Sequence, residues 1–249
     1  MIKVIQFFLD HGFDVNRNDG KHGAQCLNAL TLSSFDRYMI EATKLLFDAG
    51  AQNIPVEDDP SETPMNWIGT EGSYQDTCEH DHHLGNIFEA TYQVYVAVEN
   101  GRPYSGIDSY EAAIGKKILY VMAESQPDSP VFSSIDLPHS KHNNCFYYNL
   151  YFLFDGGYLV ATKYANYWVD TVLPDTSLTD VSYIFSPVIG HTIQNITFGH
   201  QSISKGKTFF GQPITTFQFD NEIKLTFTIN FGEVEKPDYC SYFFYGEKE

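Results

Sequence analysis

The sequence is poor in positive charge and in long apolar runs, and each shortage excludes a class of partner. Fifteen Lys and Arg residues stand against 32 Asp and Glu residues, which gives a net charge of −17. Such a chain has no basic surface to neutralise phosphates, so we expect neither nucleic acid nor anionic lipid as a partner. No stretch is apolar for long enough to span a bilayer as a helix, so no membrane partner is predicted.

Cysteine is also scarce, and its four copies form no recognisable framework. They are Cys26, Cys78, Cys145 and Cys240. Without a C-x-x-C pair or dense spacing, the sequence predicts free thiols in a reducing cytoplasm. The apolar run at residues 1–9 is too short for a signal peptide, which favours the same cytoplasmic location.

Motifs of catalytic and nucleotide-binding sites are missing too. The chain contains no G-x-S-x-G, G-x-x-x-x-G-K or G-x-G-x-x-G segment. These motifs place a nucleophile or cradle a phosphate, and no other arrangement of nucleophile and base stands out. We therefore predict a protein that is not an enzyme, with no catalytic residue and no cofactor.

Three segments share one pattern, an apolar amphipathic helix followed by an acidic or amide turn and a glycine. They are VIQFFLDHGFDVN at residues 4–16, ATKLLFDAGAQN at 42–53 and VYVAVENGRP at 94–103. Gly12, Gly50 and Gly101 each stand where a helix C-terminus needs a left-handed residue, which glycine adopts at the least cost. The pattern predicts three helices with glycine caps.

This pattern resembles the second half of an ankyrin repeat. GAQCLNALT at residues 23–31 takes the place of the G-x-T-P-L-H-x-A-A helix of that family, with Gln25 and Cys26 for Thr-Pro, and TPMN at 63–66 keeps Thr-Pro. The glycines are 38 and 51 residues apart, longer than the family period of about 33, so insertions are required. The resemblance covers roughly the first 110 residues and implies a repeat stack that binds proteins.

The chain opens directly on the second helix of such a repeat. Ankyrin units bury their apolar faces only against neighbours, so a half-repeat would expose Ile5, Phe8 and Leu9. The helix is then either a cap or the end of a longer stack. We expect further repeats before Met1.

From Lys117 onward the pattern changes to β structure. Residues 214–219 and 223–230 alternate apolar and polar side chains around Asp220, which predicts a hairpin with one face in a core and Thr226 among the water-facing residues. A second hairpin is predicted at Asp155-Gly156-Gly157. Its first strand, residues 145–154, is apolar on both faces, so we expect it to lie centrally in the sheet or beneath another layer.

The two hairpins lie in related contexts. AIGKKILYV followed by FLFDGG resembles VIGHTIQNI followed by FQFDNE, which indicates two related units. The pattern is also similar to small bacterial β-rich domains of unassigned role, some of which resemble immunity proteins of contact-dependent toxin systems. The predicted fold class is α+β: an ankyrin-like helical repeat stack over residues 1–112, then a mainly antiparallel β domain over 113–249, a sandwich or half-open barrel with an internal duplication.

Two clusters suggest other chemistry. Every residue of the run CEHDHH at residues 78–83 is of a type that can ligate a metal ion. A closed site would need further ligands from a second segment, for which His139, His142 and Cys145 are the candidates. Neighbours in sequence cannot all face one ion and nothing joins the two segments, so we favour a solvated acidic loop and predict no metal site. A row of aromatic residues would bind sugars if exposed, but core packing is the favoured interpretation. That row is Tyr147, Tyr148, Tyr151, Tyr158, Tyr164, Tyr167 and Trp168.

The leading hypothesis is a non-enzymatic protein–protein interaction module. The predicted binding residues occupy two loops, one mixed in charge and one acidic, which suits a basic protein partner. They are Arg17, Asp19, Lys21 and His22 in the first loop, and Glu57, Asp58 and Asp59 in the second. The alternatives are an immunity protein that neutralises a cationic toxin, and a metal-dependent enzyme or metal sensor that uses the His/Cys runs. The oligomeric state is not predicted.

Overall fold

Four helices precede twelve strands in the part of the chain that the computed structural model describes. That part comprises residues 1–17, 26–27, 30, 38–55, 63–69, 82–124, 132–134, 144–146, 149–162, 165–170, 178–202, 211–230 and 239–245. The helices are α1 (Ile2–Asp10), α2 (Tyr38–Asp48), α3 (Pro64–Gly69) and α4 (His82–Glu99). Within those residues no helix combines the length and the apolar character that a membrane span requires.

The helices pack around α4. Both α2 and α3 contact α4, and α1 contacts α2. Leu46 of α2 and Val94 of α4 belong to one buried apolar cluster. Phe47 meets Tyr95 edge to face, with ring centroids 5.0 Å apart. This cluster is the core of the helical region.

The predicted glycine caps are confirmed. Gly12, Gly50 and Gly101 have φ angles of 78°, 88° and 62°, values that strain any residue with a Cβ. After each glycine a backbone N–H turns back to the helix, for example from Phe13 to the carbonyl of Phe8 at 3.0 Å. The helices therefore end where the sequence predicts.

The predicted fold class, an ankyrin-like helical stack followed by a β domain, is wrong, because the described residues form no helical repeat stack and are mostly β structure. The described helices have 9, 11, 6 and 18 residues, which is no repeated pair of matched helices, and most of the described chain beyond them is antiparallel β structure. A glycine after an amphipathic helix reports only on that helix and its cap, which many folds share. A stack also needs regular pairing between repeats, whereas α4 packs on strands as well as on α2 and α3.

The strands form two six-stranded sheets in which all neighbours are antiparallel. The first sheet has the order β1 (Ile107–Ser109), β7 (Asn166–Val169), β6 (Gly157–Ala161), β5 (Leu150–Phe154), β2 (Ile118–Glu124), β8 (Leu178–Asp180). The second has the order β3 (Phe132–Ser134), β4 (Asn144–Phe146), β12 (Tyr239–Tyr245), β11 (Lys224–Asn230), β10 (Gly211–Phe219), β9 (Ile193–Ser202). A short 3-10 helix, Tyr110–Ala113, links β1 to β2.

One apolar core joins the two sheets face to face. Phe152 of the first sheet meets Phe227 of the second edge to face at 5.8 Å, and Phe217 meets Phe227 at 5.5 Å. All three rings belong to the same buried cluster. Edge-to-face pairs add to the apolar burial, so these rings stabilise the sandwich.

Both predicted hairpins are confirmed, with two corrections in detail. The strands β5 and β6 flank Asp155 and Gly156, and β10 and β11 flank Asp220. The single strand predicted at 145–154 is wrong, because β4 belongs to the second sheet and β5 to the first. Thr226, predicted to face water, is 1% exposed and lies 3.0 Å from the Thr216 hydroxyl.

The two hairpin units meet along a pair of equivalent segments. Lys117 and Thr192 form an isolated antiparallel bridge. In each unit the Ile that follows pairs with the Phe before the hairpin turn, Ile118 with Phe154 and Ile193 with Phe219. Around the bridge the backbone hydrogen bonds are reciprocal. The N–H of Gly115 donates to the Ile193 carbonyl and the N–H of Gly190 to the Ile118 carbonyl, both at 2.8 Å. The N–H of Ile118 donates to the His191 carbonyl and the N–H of Ile193 to the Lys116 carbonyl, both at 3.0 Å. Common ancestry of the units stays a prediction.

Helix α4 connects the helical region to the first sheet. It contacts β1 and β7, and the Asn86 side-chain oxygen accepts a hydrogen bond from the Asn166 backbone N–H at 2.8 Å. Asn86 and Asn166 are both buried, so this bond satisfies a backbone donor that water cannot reach. The predicted domain boundary at residue 112 stays a prediction.

Candidate functional site

Helix α1 is apolar yet has no buried residue. Its sequence IKVIQFFLD contains six apolar residues among nine. Ile2, Ile5 and Leu9 pack half-buried on the helical core, while Val4, Phe7 and Phe8 are 58%, 56% and 52% exposed. Isolated exposed apolar residues are ordinary, but a contiguous set marks an interaction surface.

An open cavity of about 360 Å³ lies against this helix. We call it the α1 groove. Its lining is apolar apart from one thiol: Met1, Ile5, Phe8, Leu9, Phe13, Cys26, Leu30 and Leu46. Leu30 and Leu46 are buried and form its floor, whereas Met1, Phe8 and Phe13 are exposed at its rim. An engineered cavity of about 150 Å³ already admits benzene, so the groove has room for several apolar groups.

The chain after α1 is held in place by Asn16. Its side-chain amide donates to the Gly50 carbonyl at 2.8 Å, and its oxygen accepts from the Gln52 N–H at 2.8 Å. Both bonds join the segment after α1 to the turn after α2. One side of the groove is therefore fixed relative to Leu46, which lies on α2.

Negative charge lies beside the apolar lining. Burial raises the pKa of the Cys26 thiol above its ordinary value, and the nearby carboxylate of Asp14 raises it further. Asp14 itself is exposed, and its side chain accepts a hydrogen bond from the Asn16 N–H at 3.0 Å. At neutral pH the groove thus contains a neutral thiol and has an acidic residue near it.

The structure describes only one of the residues predicted to bind a partner. Arg17 is exposed, and its backbone N–H donates to the Asp14 carbonyl at 3.1 Å. The other six lie outside the described residues: Asp19, Lys21, His22, Glu57, Asp58 and Asp59. Their role in binding stays a prediction.

Among the residues considered for a metal site, the structure describes side-chain contacts of His83. Within the described ranges no group of three or more His, Cys, Asp and Glu side chains is arranged to hold a metal ion. The His83 ring nitrogen lies 2.6 Å from the Tyr110 hydroxyl, and the ring is 5.4 Å from that of Phe198. Residues 78–81, His139 and His142 are not described, so metal binding by them is untested.

The aromatic row considered as a sugar platform is largely internal. Tyr151, Tyr158 and Trp168 are 6%, 7% and 4% exposed, and burial raises the pKa of Tyr167 well above its ordinary value. Tyr147, Tyr148 and Tyr164 lie outside the described residues. Side chains packed in this way cannot stack on a sugar, so core packing is the correct interpretation for the described members.

Comparison with known proteins identifies no relative. No family model, no curated protein and no solved structure matches the chain. The resemblance to ankyrin repeats and to bacterial β-rich domains is therefore not supported by any match. The α1 groove has to be interpreted from its own geometry.

Sequence reasoning identified part of the groove and missed the rest. Ile5, Phe8 and Leu9 were expected to be exposed; Phe8 is, and the other two are half-buried. The contribution of Phe13 and Cys26 was missed, because both come from outside the helix. A usable signal was the position of Phe13 directly after the capping glycine, where a hydrophobic residue commonly packs back on the helix.

Proposed function

We propose that this chain is a non-enzymatic protein-binding module and that the α1 groove is its binding surface. The observation that carries the proposal is a nine-residue apolar helix with no buried residue beside a 360 Å³ apolar cavity. Leaving so much apolar surface in water costs about 25 cal/mol for each Å². A partner that covers it recovers that free energy.

The exposed residues resemble the centre of a protein interface in composition. Phe7, Phe8 and Phe13 are 56%, 52% and 43% exposed, and their rings form a connected row, with Phe7–Phe8 and Phe8–Phe13 centroids 5.8 and 5.9 Å apart. Aromatic residues are enriched at interface centres and dominate their energetics. Phe8 is the central ring of the row and the expected hot spot.

The net charge of −17 favours a basic protein as the partner. An immunity protein that neutralises a cationic toxin is one form of this function, and the identity of the partner would decide it. A cytoplasmic location belongs to the same proposal, since the four scattered cysteines suit a reducing compartment.

The test uses two variants that each replace an exposed aromatic residue by Asp, at different places. Phe8→Asp puts a charge into the α1 groove, whereas Tyr183→Asp changes an aromatic residue that is 76% exposed in the β region. A partner captured with the wild-type chain is purified and its Kd is measured by calorimetry. We expect Phe8→Asp to weaken binding by at least about thirtyfold, the equivalent of a hot spot of about 2 kcal/mol.

The control variant should bind within about threefold of the wild-type chain, since rim and remote residues contribute little. Both variants should stay folded, because surface substitutions change stability by about 0.5 kcal/mol or less. A partner that binds Phe8→Asp as tightly as the wild-type chain would contradict the proposed function.

A further inference from the structure

The lining of the α1 groove has helical spacing, which restricts what can occupy it. Met1, Ile5, Phe8 and Leu9 follow each other at intervals of four, three and one, so they form a stripe along one side of α1. Cys26 and Leu30, which also line the groove, are four residues apart, and both are helical. An apolar stripe of this kind is the surface on which a second helix packs, with its own ridges between these side chains.

The dimensions fit about two turns of helix. Leu9 lies eight positions after Met1, a rise of about 12 Å at 1.5 Å per residue. A helix of that length presents apolar side chains at positions i, i+3 or i+4, and i+7 to one face. The cavity of about 360 Å³ has room for two or three of them.

The apolar surface continues beyond the cavity, which argues against a small ligand. Val4 and Phe7 do not line the cavity, yet they are 58% and 56% exposed. A small apolar molecule in the cavity would leave both in water. A partner protein has further surface beyond the helix in the groove, and that surface can cover them as well.

Charge selects among the macromolecules that could cover this surface. A second copy of the chain would bring another net charge of −17 against the first, and an anionic membrane would be repelled in the same way. Asp14 lies close enough to the lining residue Cys26 to act on it electrostatically, so this end of the groove is acidic, and the C-terminus of α1 adds the negative end of its dipole there. That end suits a Lys or Arg side chain.

We infer that the α1 groove binds an amphipathic helix of a partner protein, with apolar side chains at i, i+3 or i+4 and i+7 seated along Met1–Leu9 and a basic residue beside Asp14. This inference rests on the proposed function and specifies the partner's binding segment. It commits to one chemistry, an apolar face with a basic end.

The experiment selects peptides without knowledge of the natural partner. From a displayed library of random 16-residue peptides, those that bind the full wild-type chain are kept and those that also bind Phe8→Asp are removed. The selected peptides are synthesised, their helicity in the complex is measured by circular dichroism, and their affinity is measured by fluorescence anisotropy. Alkylation of Cys26, followed by peptide mass mapping, reports whether a bound peptide occupies the groove.

A matched pair of variants tests the basic end. Asp14→Asn removes the charge but keeps a side-chain oxygen that can accept the hydrogen bond from the Asn16 N–H. Asp180→Asn makes the same change in the β region, where Asp180 accepts from the Ser182 N–H at 2.8 Å. We expect Asp14→Asn to weaken peptide binding about three- to fivefold and Asp180→Asn to leave it unchanged.

The outcomes separate this inference from the proposed function. Helical peptides with the expected spacing, a Lys or Arg preference, sensitivity to Asp14→Asn and protection of Cys26 would support it. Extended or proline-containing peptides, or indifference to Asp14→Asn, would overturn the inference and leave the groove as a binding surface. The inference fails outright if the selection yields no peptide that binds the wild-type chain but not Phe8→Asp. It also fails if the free chain proves to be a dimer through α1. The proposed function then depends only on the measurement with the natural partner.

Discussion

The β region and the helical region place phenylalanine in opposite surroundings. Phe152, Phe217 and Phe219 are at most 2% exposed between the two sheets, whereas Phe7 and Phe8 of α1 are 56% and 52% exposed. The side chain is the same, and the difference is the presence of a second layer. Each sheet has the other sheet against its apolar face, whereas among the described elements α1 packs mainly against α2. An apolar side chain is buried where a second layer lies against it and stays in water where none does.

The largest expected effect tests this contrast directly. Phe152→Ala should lower the free energy of unfolding by about 3–5 kcal/mol, because it leaves a cavity among Phe185 and Phe227, whose rings it contacts. Phe7→Ala should change it by less than about 0.5 kcal/mol, because its ring is already half in water. Urea unfolding of both variants measures the difference, and equal losses would contradict the contrast.

Two glycines make a second comparison of the regions. A Cβ at Gly157, in the first hairpin, would lie 2.6 Å from the Val169 carbonyl oxygen, and the φ angle there is 155°. A Cβ at Gly50, after α2, would meet nothing within 4 Å, although φ is 88°. Gly157→Ala should therefore cost about 3 kcal/mol from strain and overpacking together, and Gly50→Ala about 1 kcal/mol from strain alone.

Thermal unfolding followed at matched pH would rank these two variants. The comparison would fail if Gly50→Ala proved the more destabilising of the pair, because the open space around it would then be irrelevant. If Gly50→Ala also weakened partner binding, the effect of this turn would extend to the α1 groove. Asn16 donates a hydrogen bond to the Gly50 carbonyl and so positions the chain next to the groove.

The smallest expected effect lies within the β region, between its two hairpin units. The hydrogen bond from His191, at 2.7 Å, holds the pKa of the Asp220 carboxyl below its usual range. In the other unit Lys116 takes the equivalent place, but its amine lies 4.8 Å from the centre of the Trp168 ring. Only in the second unit is the hydrogen bond from histidine to aspartate therefore expected to make the stability depend on pH.

The direction follows from the lowered pKa. A carboxyl that ionises more easily in the folded state stabilises the fold above its unfolded pKa of about 3.9, and this contribution is lost as the pH falls through the lower folded value. Asp220→Asn should therefore flatten the decline of the melting temperature below about pH 4. Asp155→Asn, the same change in the first hairpin, serves as the control. An identical slope for Asp220→Asn and the wild-type chain would exclude the proposed contribution.

Local structure was well predicted from the sequence, and its assembly was not. The caps at Gly12, Gly50 and Gly101 and the hairpins at Asp155 and Asp220 depend on a few neighbouring residues, so their sequence signals are sufficient. The ankyrin-like stack failed because it depends on how helices pair across distances that no local pattern reports. The strand expected at residues 145–154 failed for the same reason, since the change of sheet between β4 and β5 is a tertiary choice.

The candidate site divides in the same way. The apolar character of α1 and the acidic balance of the chain were evident from composition and spacing. The α1 groove was not, because Phe13, Cys26 and Leu46 reach it from three other segments. Sequence alone determined where the described helices end, where the hairpins turn and what sign the net charge of the chain has, since each depends on local chemistry or on a sum over residues. Only the tertiary structure decided which apolar residues lie in the core and which remain in water, because burial depends on the layer that lies opposite.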